Sequence, residues 1–577
     1  MKQLQAQAIK RKDLRGLAER PLLLTVMVQL HTFQGKLPDD RTELYNDAVD
    51  LLMERWQQRL GQETGLVQHL DIPHLKMTDL RDGLCDVAFQ AHQLTSSEET
   101  PDIRESDLRQ CLQTYLGGSW DKAGQFVQYI RERSGLLIPH KTDAYRFPHR
   151  TFQEFLAACY LLRTDHDPGR PASLVQQDFD RWREVFVLAC GFAARKYSIN
   201  KALAFINHLC PEGVSDIASP QPQHWRFAQL AADALLEVGL LGVKREKAGQ
   251  VLLERVQEWI EGAMRHDEVI VKDRVQADRT LGLLGDRRKD VLDPLQTEFI
   301  KVADGPFKMG EKSETIMMTV PYIYYISKFP VTQSQFRAFV DDNGYRHEAY
   351  WPEAKAAGVW KAGMVQGRYD DQPRGKPEDF DEPFSLPNHP VVGVTWYEAL
   401  AYCRWLTERL QAWEGTPEPV RILLRTGGKT GKPWSITLPN EPEWEKAARG
   451  VEDDRVYPWG NHAEPNFANY GETQVNATSA VGCFPKGASP FKLEEMSGNV
   501  WEWTRSLYEE DSYPAKPNEW TRRENLMADQ AKDRVLRGGS WFDSDYDVRC
   551  ASRSRLGPVY WDLFIGFRVV ASPFSEP

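Results

Sequence analysis

The amino-acid sequence changes character near residues 284–290, and this change constrains the fold more than any other feature. Before it, apolar residues such as Leu44, Ala48 and Leu51 recur at helical spacing, while Pro and Gly stand mostly at joints. After it, Trp and Gly are frequent, apolar runs are short and turn signals multiply. We therefore predict a multidomain chain with an α-helical N-terminal half and an irregular α+β C-terminal half.

Length and charge narrow the function classes. A chain of 577 residues is too long to fold around a single hydrophobic core, since a typical domain has ~150 residues. The net charge of -11 gives no support for a nucleic-acid partner, because nonspecific affinity for phosphates rests on accumulated Lys and Arg.

The sequence also bears on where the protein is located. The first long apolar run, residues 21–30, is shorter than the ~20 residues that cross a bilayer, and the N-terminus lacks a signal-peptide pattern. Eight cysteines without CxxC spacing are typical of reduced thiols. We expect a cytoplasmic protein without a membrane partner.

Three phrases in the first half occur in a recognisable order. They are Arg20-Pro-Leu-Leu-Leu-Thr, Lys36-Leu-Pro-Asp-Asp-Arg-Thr-Glu-Leu-Tyr and Phe147-Pro-His-Arg-Thr-Phe-Gln-Glu-Phe-Leu-Ala-Ala. Residues 135–147 have two short apolar runs around a polar turn and predict a β-hairpin wing before a helix over Thr151–Leu162. On these phrases, residues 1–165 resemble the helical and winged-helix segments that follow the nucleotide-binding core of NACHT (STAND) signalling ATPases. The resemblance implies a NACHT ATPase as a separate or covalently linked partner.

The phosphate-binding loop of such an ATPase does not occur in this sequence. That loop, GxxxxGK[ST], cradles phosphates with backbone N–H groups and a Lys. The run Gly427-Gly-Lys-Thr-Gly-Lys has the wrong spacing, and we place it between two predicted strands with no helix after it. We expect no ATP hydrolysis by this chain, and we expect it to be a fragment or an internally started product of a longer protein.

Residues 166–290 continue with amphipathic patterns over Arg181–Arg195, His224–Val238 and Arg245–Met264, which predict a helical spacer. The third region, residues 291–577, has two evident helices, Thr332–Asp341 and Thr395–Gln411. Its many tryptophans can organise a core while their N–H groups fasten loop backbones. Those singled out are Trp396, Trp405, Trp444, Trp459, Trp501, Trp503 and Trp541.

Eight ordered phrases carry a resemblance for this third region. They are Gly305-Pro-Phe-Lys-Met-Gly, Phe329-Pro-Val-Thr, His389-Pro-Val-Val-Gly-Val-Thr-Trp, Leu438-Pro-Asn-Glu-Pro-Glu-Trp-Glu, Tyr457-Pro-Trp-Gly-Asn, Ser497-Gly-Asn-Val-Trp-Glu-Trp, Arg537-Gly-Gly-Ser-Trp and Ile565-Gly-Phe-Arg. They resemble the formylglycine-generating-enzyme (sulfatase-modifying-factor) family. The resemblance implies a variant of the C-type lectin fold.

Catalysis does not follow from this fold. Catalytic members of the family use a copper-binding cysteine pair, whose positions here carry Asp543 and Val548. We interpret the nearby Cys550 as a buried structural residue. The histidines of this region, His347, His389 and His462, are isolated in sequence. The chain is therefore predicted not to be an enzyme and to require no cofactor.

The resemblance also implies structural calcium. The carboxylates of Glu495 and Glu502 and the carbonyls of Gly498 and Val500 would supply the oxygen ligands that calcium takes. An equally good interpretation is that Glu502 only bridges loops. A second family site would begin at Asn469 and the Tyr470 carbonyl, but its completing loop is shortened here.

Residues 534–570 combine framework phrases with an unusual filling of aromatic, aliphatic and small polar residues in what we expect to be an exposed loop region. Rigid aromatics with small polar neighbours are typical of binding surfaces. The filling resembles the variable region of diversity-generating-retroelement target proteins, although Trp561 cannot arise from their AAY codons by changes at adenine. The predicted ligand-binding residues are Phe542, Asp543, Ser544, Asp545, Tyr546, Ser552, Ser554, Leu556, Gly557, Val559, Tyr560, Trp561, Leu563 and Phe564.

The leading hypothesis is a non-catalytic recognition protein that displays a diversified surface to a protein ligand and forms the sensor part of a NACHT-type signalling or defence system. Two alternatives stay open. The first is a formylglycine-generating or iron- or copper-dependent oxidase, and the second is an assembly scaffold.

Overall fold

A computed structural model describes residues 21–38, 40–55, 66–94, 101–131, 136–164, 166–214, 217, 220–266, 268–311, 314–428, 431–451, 454–511 and 513–573. It divides into two compact units, residues 1–256 and 257–577. The predicted boundaries at residues 165 and 290 stay predictions. Arg20, Asp39, Gly135, Lys429 and Thr430, which belong to phrases quoted above, lie outside the described residues. Within the described ranges, no helix combines the length and apolar character needed to cross a membrane.

The first unit is helical with one small sheet. Its helices are α1 (Pro21–Gln34), α2 (Arg41–Asp50), α3 (Leu66–Leu70), α4 (Met77–Leu94), α5 (Glu105–Gln113), α6 (Trp120–Tyr129), α7 (Arg150–Thr164), α8 (Arg170–Gln177), α9 (Phe179–Lys196), α10 (Ile199–Leu209), α11 (Pro222–Val238), α12 (Leu240–Val243) and α13 (Lys247–Arg265), which runs into the second unit. The predicted spacer helices are confirmed to within three residues at each end.

The predicted wing is present and has a third strand. Strands β2 (Ile138–Lys141) and β3 (Ala144–Arg146) form the antiparallel hairpin, and β1 (Ile103–Arg104) pairs with the other edge of β3. Helix α7 follows the hairpin and is buried along most of its length, with Phe152 and Phe155 against the ring of Tyr45 at 6.0 Å. The wing is thus attached to a helix that lies in the core of this unit.

The second unit contains two four-stranded sheets and several helices. Its helices are α14 (Val271–Leu284), α15 (Lys289–Leu292), α16 (Gln333–Asp341), α17 (Pro352–Ala356), α18 (Trp396–Ala412), α19 (Glu418–Thr426) and α20 (Glu441–Arg449). Its strands are β4 (Phe299–Val302), β5 (Gly305–Met309), β6 (Ile316–Val320), β7 (Tyr324–Ser327), β8 (Trp360–Lys361), β9 (Met364–Val365), β10 (Ser435–Thr437), β11 (Trp501–Leu507), β12 (Arg534–Arg537), β13 (Arg553–Leu556), β14 (Ile565–Gly566) and β15 (Val570–Ser572).

Strand order brings the chain ends of this unit together. One sheet has the order β10-β15-β7-β4, and the other has β13-β12-β11-β14. Strand β11 is buried throughout, pairs antiparallel with β12 and parallel with β14, and sets Trp501 opposite Ile565. Because β14 follows residues 557–564, this pairing holds the end of the predicted binding segment against the core.

The two helices predicted in this region are confirmed. Thr332 and Thr395 are the N-caps of α16 and α18, and each forms a capping box in which the hydroxyl accepts from the backbone N–H three residues on. One prediction is wrong, because Gly427 follows a helix, α19, rather than a strand. Its φ of 72° ends that helix in the left-handed conformation that glycine adopts freely. The apolar run 422–424 is short enough to suit either element.

Tryptophans form the core as predicted. Of the seven, Trp396, Trp405, Trp444, Trp501 and Trp503 are buried, whereas Trp459 and Trp541 are half-buried. The Trp396 indole donates to the Thr504 carbonyl at 2.9 Å, and the Trp503 indole donates to the Val394 carbonyl at 3.2 Å. The rings therefore supply apolar area and their N–H groups tie α18 and its preceding loop to β11.

Helix α14 is fastened to the loops of this unit by buried polar groups. The Asn388 amide donates to the Asp278 carbonyl at 3.2 Å, and the Ala480 N–H donates to Oδ2 of Asp278 at 3.1 Å. A side chain at Gly282 would lie 2.6 Å from Oδ1 of Asn388, so this close approach requires glycine. Helix α14 is consequently part of the same compact unit as the sheets.

Candidate ligand-binding surface

Eight aromatic side chains of the second unit form an unbroken chain of ring contacts, which we call the aromatic ridge. Consecutive ring centroids lie between 4.8 and 6.2 Å apart. In spatial order the residues are Phe564, Phe542, Trp541, Phe384, Phe380, Trp561, Tyr369 and Tyr560. Tyr369 is 59% exposed and Phe542 is 48% exposed, and the other six rings are half-buried. The rings therefore present a continuous, partly exposed apolar surface.

A fixed turn presents Phe542. The carboxylate of Asp543 accepts from the Ser540 N–H at 2.9 Å and from the Ser540 hydroxyl, while its carbonyl accepts from the Gly471 N–H at 2.8 Å. Burial raises the pKa of the Asp543 carboxyl. The Trp541 N–H donates to the Asn499 carbonyl at 3.2 Å. Both sides of Phe542 are therefore anchored to the framework, which limits the conformational entropy that binding would cost.

The other part of the ridge is held around Asp370. Its carboxylate accepts from the Trp561 indole at 2.8 Å, from the Gly367 N–H at 2.7 Å and from Nε of Arg374 at 3.0 Å. Arg374 also donates to Glu398 at 2.8 Å, and its guanidinium lies 5.3 Å from the Trp561 ring centre. The segment 366–384 is thereby joined to residues 558–564 as one surface.

Only some of the predicted ligand-binding residues lie on the aromatic ridge. Phe542, Tyr560, Trp561 and Phe564 lie on the ridge. Val559 and Leu563 are half-buried beside them, and their carbonyls accept from the Arg368 N–H and the Trp541 indole.

The other predicted residues lie off the ridge. Ser544, Asp545 and Tyr546 are exposed in the turn after Asp543, and Ser554 and Leu556 are half-buried on β13. The expectation of an exposed region is wrong for Ser552 and Gly557, which are buried, because the chain returns to the sheet there.

Tyr546 and Ser552 line a polar cavity of about 420 Å³ instead. None of the residues that line this cavity is on the ridge. Arg549 pairs with Glu311 at its wall, and Arg553 pairs with Glu441 through Nε at 2.6 Å. The guanidinium of Arg549 also lies 3.7 Å from the ring centre of Tyr546. Both arginines of this cavity are thus paired with carboxylates of its wall.

Sequence reasoning missed Tyr369, Phe380 and Phe384. They lie some 160 residues before the predicted patch, in a segment that alternates aromatics with Asp, Pro and Gly. The same mixture of aromatic and small polar residues identified residues 542–564 as a binding segment, so the sequence also offered a signal for residues 369–384. Their contact with Trp561 and Trp541 depends on the fold.

The positions of the family's catalytic cysteines form no thiol site here. The carboxylate of Asp543 is hydrogen-bonded within the turn described above, and Val548 is buried with Tyr457 and Tyr470. Burial raises the pKa of the Cys550 thiol to about 12, so this thiol stays protonated. All eight cysteines lie within the described residues, are buried and form no disulfide. His389 is buried beside Thr478, whereas His347 and His462 are exposed. The described ranges contain no cluster of three His, Cys, Asp or Glu side chains able to hold a metal.

The four residues considered for calcium make hydrogen bonds of their own in this structure, although Oε1 of Glu502 is buried without one. Oε2 of Glu502 accepts from Nε of Arg568 and from the Trp444 indole, both at 2.7 Å. Arg568 also donates to the carbonyls of Glu494 and Glu495 at 2.9 and 3.1 Å. The Gly498 carbonyl accepts from the Val500 N–H, and the two carboxylate oxygens of Glu495 accept from Gly482 and Asn499. The Arg568 guanidinium thus takes one oxygen of Glu502, and calcium binding at these residues stays a prediction. The second set, at Asn469 and the Tyr470 carbonyl, likewise stays a prediction.

These features define a protein with two types of domain. One is the winged helix of the first unit, and the other is formed by the two sheets and the tryptophan core of the second unit. The chain carries a winged-helix domain of the NACHT-associated type, followed by a formylglycine-generating-enzyme-like domain. Residues 41–161 match the family described as "Winged helix-turn-helix domain C-terminal to NACHT". Residues 289–573 match the family "Sulfatase-modifying factor enzyme 1-like domain". Both resemblances inferred from the sequence are therefore confirmed.

Relatives of the second domain include enzymes. The hercynine oxygenase of Mycolicibacterium thermoresistibile is 30% identical over 286 residues, which cover 47% of this chain and 55% of that protein. The formylglycine-generating enzyme of Mus musculus is 27% identical over 325 residues, covering 48% of this chain and 75% of that protein. The chain thus spans about half the length of the hercynine oxygenase that it matches.

A solved structure titled Treponema denticola variable protein 1 aligns with 48% of this chain and 95% of its own, at 22% identity and a TM-score of 0.32.

Proposed function

We propose that this chain is a non-catalytic recognition protein whose aromatic ridge binds a protein ligand in the cytoplasm. The observation that carries the proposal is the ridge itself, in which eight aromatic rings from two distant segments form one partly exposed surface on an anchored framework. Rigid aromatics of this kind supply contact area at low entropic cost and are enriched at the energetic centres of interfaces.

The match of residues 41–161 to a NACHT-associated winged-helix family supports a signalling role. We propose that the ridge is the sensor of a NACHT-type system whose ATPase is linked to this chain or binds it. Ligand binding would act on signalling only if the ligand had different affinities for two states of the protein. A comparison of ATPase activity in a NACHT protein encoded beside this gene, with and without this chain, would test the partnership.

We further propose that residues 534–570 are diversified. Five of the eight ridge residues fall within this segment, namely Trp541, Phe542, Tyr560, Trp561 and Phe564, whereas Tyr369, Phe380 and Phe384 lie outside it and would be constant. The test is to sequence the surrounding DNA for a near-copy of this coding segment next to a reverse-transcriptase gene. Absence of both in the native locus contradicts diversification.

The binding proposal is tested by truncation. Tyr560→Ala or Phe564→Ala should each weaken ligand binding by ~1 to 2 kcal/mol, which is the usual range for an interface anchor. Met527→Ala, at a residue that is 55% exposed and not on the ridge, is the control. Unchanged affinity in both ridge variants would remove the ridge from the binding site.

A second candidate is an iron- or copper-dependent oxidase, which the named activities of the relatives favour. It predicts stoichiometric iron or copper in the purified protein. The occupied carboxylate of Asp543 and the buried Val548 support the non-catalytic proposal, because neither offers a soft thiolate ligand.

A further inference from the structure

Acidic side chains flank the aromatic ridge. In residues 366–385, all of which the structure describes, five carboxylates are exposed against two exposed cations, Arg368 and Lys376, and Lys376 pairs with Asp379. The carboxylates are those of Asp371, Glu378, Asp379, Asp381 and Glu382. This excess of negative charge is much denser than the chain average, which is -11 over 577 residues.

The carboxylates are interleaved with the rings. Glu378 and Asp379 immediately precede Phe380, and Asp381 and Glu382 lie between Phe380 and Phe384. Phe380 contacts Trp561 at 6.1 Å, and Phe384 contacts Trp541 at 5.9 Å. A partner that covers these rings must therefore also approach four exposed carboxylates.

The protein already shows how this surface receives a guanidinium. Arg374 lies 5.3 Å from the Trp561 ring centre while it pairs with Asp370 and Glu398. An aromatic face and a carboxylate together stabilise a guanidinium through ring electrostatics and charge-assisted hydrogen bonds. The exposed rings of Tyr369 and Phe542, with the exposed Asp371 and Asp545 two and three residues further on, offer the same pair of groups to an outside cation.

We propose that the partner of the ridge is a basic protein segment whose Arg or Lys side chains lie over the exposed rings and pair with the flanking carboxylates. This inference rests on the proposed function of the ridge as a binding site. A purely apolar partner would remove water from these exposed carboxylates and bring no positive charge to them, and an acidic partner or a phosphate backbone would be repelled. The basic segment therefore satisfies both the apolar area and the charge.

The test is a selection from a phage-displayed library of random 16-residue peptides on the full chain, run in parallel on the Tyr369→Ala/Phe542→Ala variant. We expect enriched peptides to carry several Arg or Lys residues and to bind the ridge variant at least about tenfold more weakly. Enriched peptides that need the ridge but are neutral or acidic would overturn this inference and leave the proposed function standing. Enrichment that is equal on both proteins would overturn both.

A charge variant isolates the carboxylates from the rings. Glu378→Gln, Asp379→Asn, Asp381→Asn and Glu382→Gln together should weaken a selected peptide about tenfold or more and reduce the salt dependence of its affinity. The matched control removes four exposed carboxylates of the first unit, at Glu43, Asp121, Asp180 and Glu254, and so gives the same net charge. Equal affinities of the two variants would show that overall charge, rather than the ridge's own carboxylates, attracts the peptide, and would overturn the inference.

Discussion

The ring of Phe542 meets the ring of Phe564 edge to face, with centroids 4.8 Å apart. The two residues are separated by the turn after Asp543, by β13 and by the loop that leads to β14, so only the folded sheet brings them together. Their contact forms one end of the aromatic ridge, and Tyr560 forms the other end through Tyr369.

The most exposed rings of the ridge should affect binding without affecting folding. Tyr369→Ala and Phe542→Ala should each weaken a ridge-selected peptide by ~1 to 2 kcal/mol, since they remove exposed anchors. Their unfolding temperatures should match that of the parent protein. Isothermal titration and thermal unfolding check the two halves of this prediction. Tyr197→Ala, at an exposed tyrosine of the first unit, is the matched control and should bind normally.

Arg568 should be essential to the stability of the second unit. It is fully buried and holds Glu502 together with the carbonyls of Ser327, Glu494 and Glu495. Arg568→Met leaves a buried carboxylate without its cation and should cost about 3 to 5 kcal/mol in the free energy of unfolding. Urea denaturation measures this cost.

A double variant sharpens the test. Arg568→Met with Glu502→Gln removes both charges and should be less destabilised than the sum of the single changes. Additive effects of the two substitutions would contradict a direct ion pair between these residues.

The first unit should lose stability in mild acid because of His92. Burial lowers the pKa of this imidazole to about 4 from its ordinary value near 6.5. As the pH falls below 6.5 the unfolded chain takes up a proton that the folded chain refuses, so stability decreases until about pH 4. Between pH 7.5 and 5 the loss should be about 2 kcal/mol.

The variant His92→Gln separates this effect from that of the carboxylates. Its free energy of unfolding should fall less steeply over the same pH range than that of the parent protein. His462→Gln, at an exposed histidine, should keep the parent slope. Identical slopes for all three proteins would show that His92 takes up its proton equally easily in both states.

Calcium should have little effect on stability. Since the Arg568 guanidinium pairs with Glu502, a chelator such as EGTA should change the unfolding temperature by less than about 1 °C. Differential scanning calorimetry with EGTA and with added calcium measures this. A decrease of several degrees in EGTA, reversed by calcium, would instead support the site predicted from Glu495, Gly498, Val500 and Glu502.

Much of the fold was predictable because its signals are local. Capping residues such as Thr332 and Thr395 determine where a helix begins within a few residues of sequence. The helix ending at Gly427 was missed because a short apolar run suits a strand and a buried helix equally.

The binding surface was predictable only in part. The texture of residues 542–564 indicated Phe542, Tyr560, Trp561 and Phe564, but it could not separate them from the buried Ser552. Whether a residue in such a segment faces solvent depends on which strand it pairs with, and that pairing is not local.

The sequence by itself determined the two domain types, through ordered phrases that each specify a local turn, cap or core position. It also determined which positions lack the family's cysteines, Asp543 and Val548. The tertiary structure alone decided that Tyr369, Phe380 and Phe384 join the ridge and that Arg568 pairs with Glu502. The reason is physical: these contacts join residues far apart in the chain, and they form only when the strands pair and the tryptophan core closes.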